Sequence, residues 1–128
     1  MGSFSLLIAD RNPHVREFLK RELGTEGYRV QLAESGKQLL HMVTGNQPVD
    51  LVILDPDLPD WEETHLAEKL RDREPFVPVI IHGFWSDHVE SFVDVRTASF
   101  VEKAGSSVER LQSVIREMLQ STALANSR

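Results

Sequence analysis

The sequence predicts an α/β domain built on one parallel sheet, and three observations lead to this fold class. Short runs of Val, Ile and Leu, such as Leu51–Leu54, have the length and composition of strands buried on both faces. Segments with apolar residues at helical spacing separate these runs, and helix-capping residues precede several of them. Strict alternation of strands and helices is typical of a parallel sheet covered by helices on both faces.

Composition places the chain among ordinary globular proteins. Its 128 residues suit one domain, which at this length buries roughly two-thirds of the surface of its unfolded chain. There is no cysteine, so neither a disulfide nor a thiolate metal site can form. The net charge of −6 argues against direct nucleic-acid binding, and no apolar run approaches the roughly 20 residues that cross a bilayer. Because Met1-Gly2-Ser3 does not begin a secretory signal, we expect a cytoplasmic protein that contacts no membrane.

The first predicted strand and helix are joined at a short polar segment. The strand Leu6–Ala9 ends on Asp10. Asn12 is a good N-cap for the following helix, and Pro13 suits the first helical position because its missing N–H costs nothing there. The next segment, residues 28–32, alternates apolar and polar residues, which is typical of a half-exposed edge strand.

The middle of the chain contains the second helix, the third strand and a predicted third helix. Ser35 opens the second helix, and the strand Leu51–Leu54 ends abruptly on Asp55. Asp60 followed by Glu63 resembles a capping box, which predicts that the third helix begins there.

The last third of the chain repeats the alternation twice. We expect a strand over Val77–Ile81, a short helix from about Ser86, a strand over Ser99–Val101 and a helix whose capping box is Ser106 and Glu109. The apolar residues expected to face the core are Val89, Phe92 and Val93 in the short helix, and Val108, Leu111, Ile115 and Met118 in the last one.

A flavodoxin-like strand order, 2-1-3-4-5, fits this arrangement best, because short right-handed crossovers limit the topologies. It places Asp10 and Asp55 at the ends of neighbouring strands, about 4.8 Å apart, and Lys103 at the end of the fifth strand can reach them. Two carboxylates at the mouth of a parallel sheet suit Mg²⁺, and ligands collect at this edge. The alternative is that each acid only terminates a strand and faces water.

At these residues the chain resembles the receiver domains of bacterial two-component response regulators, over nearly its whole length. The resemblance is carried by residues 6–13, 48–59, 77–81 and 99–103, including the Asp-x-x-x-Pro pattern of Asp55 and Pro59. It implies a receiver domain over residues 1–122, with 123–128 as a flexible tail or the start of a linker.

The resemblance also implies a role for each site residue. Asp55 would accept a phosphoryl group from a histidine kinase or phosphotransfer protein. Asp10, Asp55 and the backbone carbonyl of Asp57 would hold Mg²⁺, and Lys103 would pair with the phosphoryl oxygens. Phe100 matches the aromatic residue that moves when receivers switch. The domain would therefore be a signalling module that is not a turnover enzyme.

Two positions depart from the family pattern. Arg11 stands where the family has a second acid, so a metal ligand is replaced by a permanent cation. Its guanidinium either pairs with Asp10 or Asp55 and weakens Mg²⁺ binding, or lies in solvent and leaves the ion to those acids and water. Gly83 stands where the family has Ser or Thr, so the hydroxyl that signals phosphorylation to Phe100 is missing.

These observations leave competing functions. The first is a receiver that is phosphorylated on Asp55 and switches partner or self association, for example as a homodimer, through its fourth helix, fifth strand and fifth helix. The second is a pseudo-receiver that serves as a protein-interaction scaffold without phosphorylation. A flavin or nucleotide carrier on the same fold is disfavoured, because residues 10–13 offer an acid and a proline instead of a glycine-rich phosphate loop. In the loop after the fourth strand, Phe84 and Trp85 form either an exposed contact patch or part of the core.

Overall fold

The computed structural model describes residues 3–92 and 98–126, in which five strands alternate with five helices. The strands are β1 (Ser5–Ala9), β2 (Arg29–Ala33), β3 (Leu51–Leu54), β4 (Val79–Gly83) and β5 (Ala98–Glu102). The helices are α1 (Pro13–Gly24), α2 (Gly36–Val43), α3 (Leu66–Arg71), α4 (Asp87–Glu90) and α5 (Ser107–Asn126). All neighbouring strands are parallel, and their order, β2-β1-β3-β4-β5, confirms the predicted flavodoxin-like topology.

The central strand β3 is fully buried because helices cover both faces of the sheet. Leu51 and Ile53 pack in one core layer with residues of α1 and α5, while Val52 and Leu54 pack in the other with residues of α2 and α3. Each fully buried side chain of this kind contributes about 1.5–3 kcal/mol to folding. The residue that follows β3 is therefore anchored at the centre of the domain.

The predicted start of α1 is confirmed. The side chain of Asn12 accepts hydrogen bonds from the backbone amides of His14 and Val15, which would otherwise lack partners. Arg16, one turn into the helix, donates to the backbone carbonyl of Asp10 at 2.6 Å. The loop between β1 and α1 is thus held at both of its ends.

The third helix begins later than its capping box predicted. Residues 60–65 form turns, and α3 starts at Leu66. The carboxylate of Asp60 instead accepts the amides of Gly36 and Lys37, at 2.7 and 2.9 Å, and so satisfies the start of α2. An added Cβ on Gly36 would lie 2.9 Å from the Asp60 Oδ1, so the glycine makes room for this contact. The prediction was wrong because Asp60 caps a different helix.

The fourth strand lies two positions further along the chain than predicted. It spans Val79–Gly83 instead of Val77–Ile81, and Val77 is buried just before it. His82 and Gly83 are consequently strand residues, hydrogen-bonded in register with β5.

The last two helices follow the predicted pattern of buried residues. In the short α4, Val89 is buried, as is Phe92 just after it, whereas Val93 lies outside the described residues. In α5, Leu111 and Ile115 are fully buried, and its half-buried members Val108 and Met118 pack against the same core.

The last helix also extends beyond the expected domain end at residue 122. It continues to Asn126, so residues 123–126 have helical backbone. The receiver domain over residues 1–122, with 123–128 as a flexible tail or the start of a linker, stays a prediction. None of the described helices has both the length and the apolar character that crossing a bilayer requires.

Candidate functional site

Three strand ends converge at one edge of the sheet. Asp10 follows β1, Asp55 follows β3 and Lys103 follows β5. The backbone amide of Asp55 donates to the carbonyl of Ala9, and that of Lys103 donates to the carbonyl of Gly83. Because these bonds continue the sheet ladders beyond the strands, the backbone under each side chain is fixed.

The three side chains meet, as the strand order predicts. The Lys103 Nζ lies 3.0 Å from the Asp10 Oδ2 and 3.9 Å from the Asp55 Oδ1. The Asp55 side chain has no exposed surface and that of Asp10 has 3%, whereas Lys103 keeps 21%. The ammonium therefore supplies positive charge to two carboxylates that water scarcely reaches.

Backbone amides orient both carboxylates. The Asp10 Oδ1 accepts the amide of Asn12 at 2.9 Å. The two oxygens of Asp55 accept the amides of Asp57 at 2.8 Å and of Arg11 at 3.1 Å. Fixed donors around a carboxylate set its geometry before any ligand arrives.

Burial raises the pKa of the Asp10 carboxyl above its ordinary value, and the nearby charge of Asp55 raises it further. The amide of Asn12 and the ammonium of Lys103 act in the opposite direction. Two like charges in a buried site disfavour the ionised form, so the site still has a deficit of positive charge.

The sequence left open whether Arg11 pairs with an acid of the site or lies in solvent, and the structure shows an intermediate arrangement. Its Nε lies 4.0 Å from the Asp55 Oδ2, and its Nη2 lies 3.7 Å from the Oδ2 of Asp57. Its side chain is 60% exposed, and no ion pair joins it to Asp10 among the described contacts. Because the side chain is mostly exposed, the guanidinium covers the outer rim without filling the pocket. An exposed ion pair at such distances contributes about 0–1 kcal/mol to stability.

The oxygen donors fit Mg²⁺ in kind. The ion accepts a few carboxylates together with carbonyls and waters, and Asp10, Asp55 and the carbonyl of Asp57 are of this type. In the described part of the chain, no three His, Cys, Asp or Glu side chains are grouped to hold a metal ion. An ion here would therefore depend on two carboxylates, and Arg11 adds positive charge where a further ligand would help.

Gly83 is packed against Pro56, which sequence reasoning missed. A Cβ added to Gly83 would lie 2.5 Å from the Cδ and 2.7 Å from the Cγ of Pro56, far inside contact distance. A Ser or Thr at position 83 would thus collide with the proline ring. The residue after Asp55 therefore occupies the space that a side chain at position 83 would take.

His88 joins α4 to the loop that follows β3, which sequence reasoning also missed. Its Nδ1 lies 2.6 Å from the carbonyl oxygen of Pro56, and its Nε2 lies 3.0 Å from the Glu62 Oε1. The ring stacks on Trp61, with centroids 4.6 Å apart and planes 8° from parallel. The only signal in the sequence was an aromatic residue at the predicted start of the third helix and a histidine in a short helix.

The aromatic residues near α4 form a partly exposed surface. Phe84 and Trp85 are 57% and 56% exposed, so they are not core residues. The half-buried Phe100 meets the Trp85 ring edge to face at 5.3 Å. The Trp85 indole also donates to Glu90 of α4 at 3.2 Å.

His82 lies in the core next to Lys103 but faces α5. Its Nε2 is 3.0 Å from the Ser107 Oγ, and its Nδ1 is buried without a hydrogen-bond partner among the described residues. Burial, with a contribution from Lys103, lowers the pKa of His82 to about 4. The histidine is therefore neutral at physiological pH and acts as a core residue.

Solved structures with this fold include response regulators. The chain is 25% identical to a CheY-like response regulator receiver domain from Methanospirillum hungatei JF-1, with a TM-score of 0.85 over 97% of this chain and 99% of that one. It is 28% identical to the response regulator TrrA from Thermotoga maritima, solved in complex with Mg²⁺-BeF, with a TM-score of 0.75 over 90% of this chain and 98% of that one.

Curated relatives match over a shorter segment. The sensor protein EvgS of Escherichia coli K12 is 41% identical over 75 residues, and the response regulator MprA of Mycobacterium sp. KMS is 33% identical over 76 residues. These segments are 59% of this chain but only 6% of EvgS and 33% of MprA. The family model of the response regulator receiver domain matches residues 6–116. The chain therefore belongs to the response regulator receiver domains of two-component signalling.

Proposed function

We propose that this receiver domain accepts a phosphoryl group on Asp55 from a histidine kinase or phosphotransfer protein in the cytoplasm. The observation that carries the proposal is the position of Lys103, whose Nζ lies 3.9 Å from the Asp55 Oδ1 and 3.0 Å from Asp10. Phosphoryl transfer depends on positioning and charge neutralisation, and an ammonium beside the acceptor supplies both.

The transfer is a substitution at phosphorus. A carboxylate oxygen of Asp55 attacks, an O–P bond forms, and the bond between phosphorus and the donor nitrogen breaks with its electron pair on the imidazole. The product is a mixed anhydride on Asp55. The amides of Arg11 and Asp57 orient the attacking carboxylate, and Lys103 pairs with the phosphoryl oxygens.

Asp10, Asp55 and the carbonyl of Asp57 would hold Mg²⁺ at this site. When bound, the ion neutralises charge on the transferring phosphoryl group. We propose that it binds more weakly than it would with a second acid at position 11, because the guanidinium of Arg11 lies 4.0 Å from Asp55.

The output would be a change in association. We propose that the face of α4, β5 and α5 binds a protein partner or a second copy of the domain, without direct contact to nucleic acid. The exposed rings of Phe84 and Trp85 border this face, and aromatic residues anchor many interfaces.

A constitutive scaffold is the second candidate, and two observations favour it. The Asp55 side chain has no exposed surface, so an oxygen becomes accessible only when the rim moves. The packing of Pro56 on Gly83 also leaves no room for the hydroxyl through which other receivers sense the phosphoryl group.

Incubation with acetyl phosphate and Mg²⁺, followed by intact-mass measurement, separates the two candidates. We expect the mass of one phosphoryl group to be added to the native domain and not to Asp55→Asn. Asp72→Asn is the matched control, because it removes an exposed acid away from the site and should still be modified. Failure of the native domain to gain mass would contradict phosphorylation and favour the scaffold.

A further inference from the structure

One peptide group connects the phosphoacceptor to α4. The amide N–H of Asp57 donates to the Asp55 Oδ1 at 2.8 Å. The carbonyl of the same peptide group belongs to Pro56 and accepts from the His88 Nδ1 at 2.6 Å. Because a peptide group is planar and stiff, its N–H and C=O move together.

We propose that His88 is a positioning residue that couples the state of Asp55 to α4 through this peptide group. A change at the Asp55 carboxylate that shifts or rotates the Asp57 amide must also shift the Pro56 carbonyl, and with it the partner of His88. As a signalling path the inference rests on the proposed function, but the coupling itself exists without phosphorylation.

Three contacts hold the His88 ring on the loop after β3. Its stacking on Trp61 is nearly parallel, and Trp61 is 95% buried, so this part of the loop is firm. The pair with Glu62 contributes little, because that carboxylate is 85% exposed. The bond to the Pro56 carbonyl and the contact with Trp61 therefore carry most of the connection.

The coupling continues from α4 to the aromatic surface. The helix is four residues long and contains both His88 and Glu90. Glu90 accepts the indole N–H of Trp85, whose ring contacts Phe100 on β5. A displacement of His88 would thus reach the exposed rings beside the proposed partner-binding face.

Position 83 offers no parallel route. Gly83 has no side chain that could touch a group on Asp55, and Pro56 fills the adjoining space. The proline ring packs on β4 while its carbonyl binds α4, so the same residue blocks one path and forms the other. His88 thereby takes over a connection that the hydroxyl cannot make.

The test compares two histidine substitutions in the presence and absence of Asp55→Asn. His88→Phe keeps a ring that can stack on Trp61 and removes both hydrogen bonds. His41→Phe is the matched control, because His41 is an exposed histidine on α2. Amide resonances of α4 and the Trp85 indole resonance report the coupling, while the amides of Arg11 and Asp57 report the local effect.

We expect Asp55→Asn to shift the α4 amides and the Trp85 indole in the native and His41→Phe backgrounds. In His88→Phe these distant shifts should be lost while the local shifts persist. His88→Gln, whose amide can donate to the Pro56 carbonyl, should recover part of them. Should His88→Phe not fold, His88→Ala provides the same comparison.

Distant shifts of unchanged size without the histidine would overturn the proposal, as would equal loss in the His41→Phe control. Because this experiment uses no phosphoryl donor, its outcome is independent of the mass measurement. Coupling through His88 in a domain that acetyl phosphate does not modify would refute the proposed function alone. Modification of Asp55 without coupling would refute this inference alone.

Discussion

The ring of Pro56 occupies the space into which any residue but glycine at position 83 would place its Cβ. The distance from that Cβ position to the Pro56 Cδ is 2.5 Å, which real side chains do not tolerate. Pro56 and Gly83 therefore depend on each other, and the absence of a side chain at position 83 is part of a packing arrangement with the loop after β3. This arrangement makes the domain's stability sensitive to a single methyl group.

Gly83→Ala should destabilise the domain by about 1–3 kcal/mol, because the added methyl group forces the strand or the proline ring to move. Urea denaturation measures the change. Pro56→Ala in the same chain should recover most of the loss, since it removes the colliding atoms. Gly24→Ala is the control, because a Cβ there meets nothing within 4 Å in the part of the chain that the structure describes. Equal effects at positions 24 and 83 would refute the packing argument.

Asp10→Asn should stabilise the domain at neutral pH without Mg²⁺, because it removes one of two buried like charges. Burial raises the pKa of Asp10 in the folded state, so the stability linked to its protonation is present at low pH and lost as pH rises through that pKa.

The gain from Asp10→Asn should accordingly shrink as pH falls toward about 4, where unfolded aspartates also become protonated. Thermal melting across pH gives both quantities. A gain that is independent of pH would show that the charge of Asp10 is not its source.

His82 should make the domain acid-sensitive. Burial lowers its pKa to about 4 in the folded state, whereas the ordinary value is 6.5, so the unfolded chain takes up the proton first. The stability linked to this histidine is fully present above pH 6.5. It is lost as the pH falls from 6.5 toward about 4, and the loss is about 2–3 kcal/mol at pH 4.5.

Unfolding in urea at pH 7 and at about pH 4.5 tests this interpretation. His82→Leu should remove most of the acid sensitivity, although the loss of the bond to Ser107 lowers its stability at both pH values. His14→Leu, at an exposed histidine of α1, should lose as much unfolding free energy between the two pH values as the native domain. An equal loss of unfolding free energy in all three proteins would contradict the assignment to His82.

Arg11→Asp should tighten Mg²⁺ binding by about tenfold or more, because it removes a guanidinium near Asp55 and adds a carboxylate at the rim. Titration followed by backbone amide shifts gives the dissociation constant. Arg21→Asp applies the same charge change on the exposed end of α1 and should leave the affinity nearly unaltered. Similar affinities in native and Arg11→Asp proteins would place Arg11 outside the metal site.

The convergence of Asp10, Asp55 and Lys103 was predictable because it follows from topology. Parallel strands bring their carboxyl ends to one edge. Asp10 and Asp55 directly follow apolar runs, and Lys103 comes two positions after Val101. The capping of α1 by Asn12 was predictable for a similar reason, since it involves neighbours in sequence.

The contacts that distinguish this receiver were not predictable, because they join residues far apart in the chain. Asp60 looked like the start of its own helix, yet its carboxylate serves amides 23 and 24 positions earlier. His88 meets Pro56 across 32 positions, and no periodicity or motif signals such a pair. The sequence showed that Gly83 lacks a hydroxyl. It did not show that Pro56 packs against this position and leaves no space for a side chain.

Beryllofluoride with Mg²⁺ tests the central claim most directly, because it binds an accessible phosphoacceptor carboxylate as a phosphoryl mimic. Backbone amide spectra of the native domain should show saturable shifts at Arg11, Asp57 and Lys103, and none of these in Asp55→Asn. Spectra that stay unchanged at saturating beryllofluoride and Mg²⁺, or that change equally in Asp55→Asn, would contradict a phosphoacceptor role for Asp55.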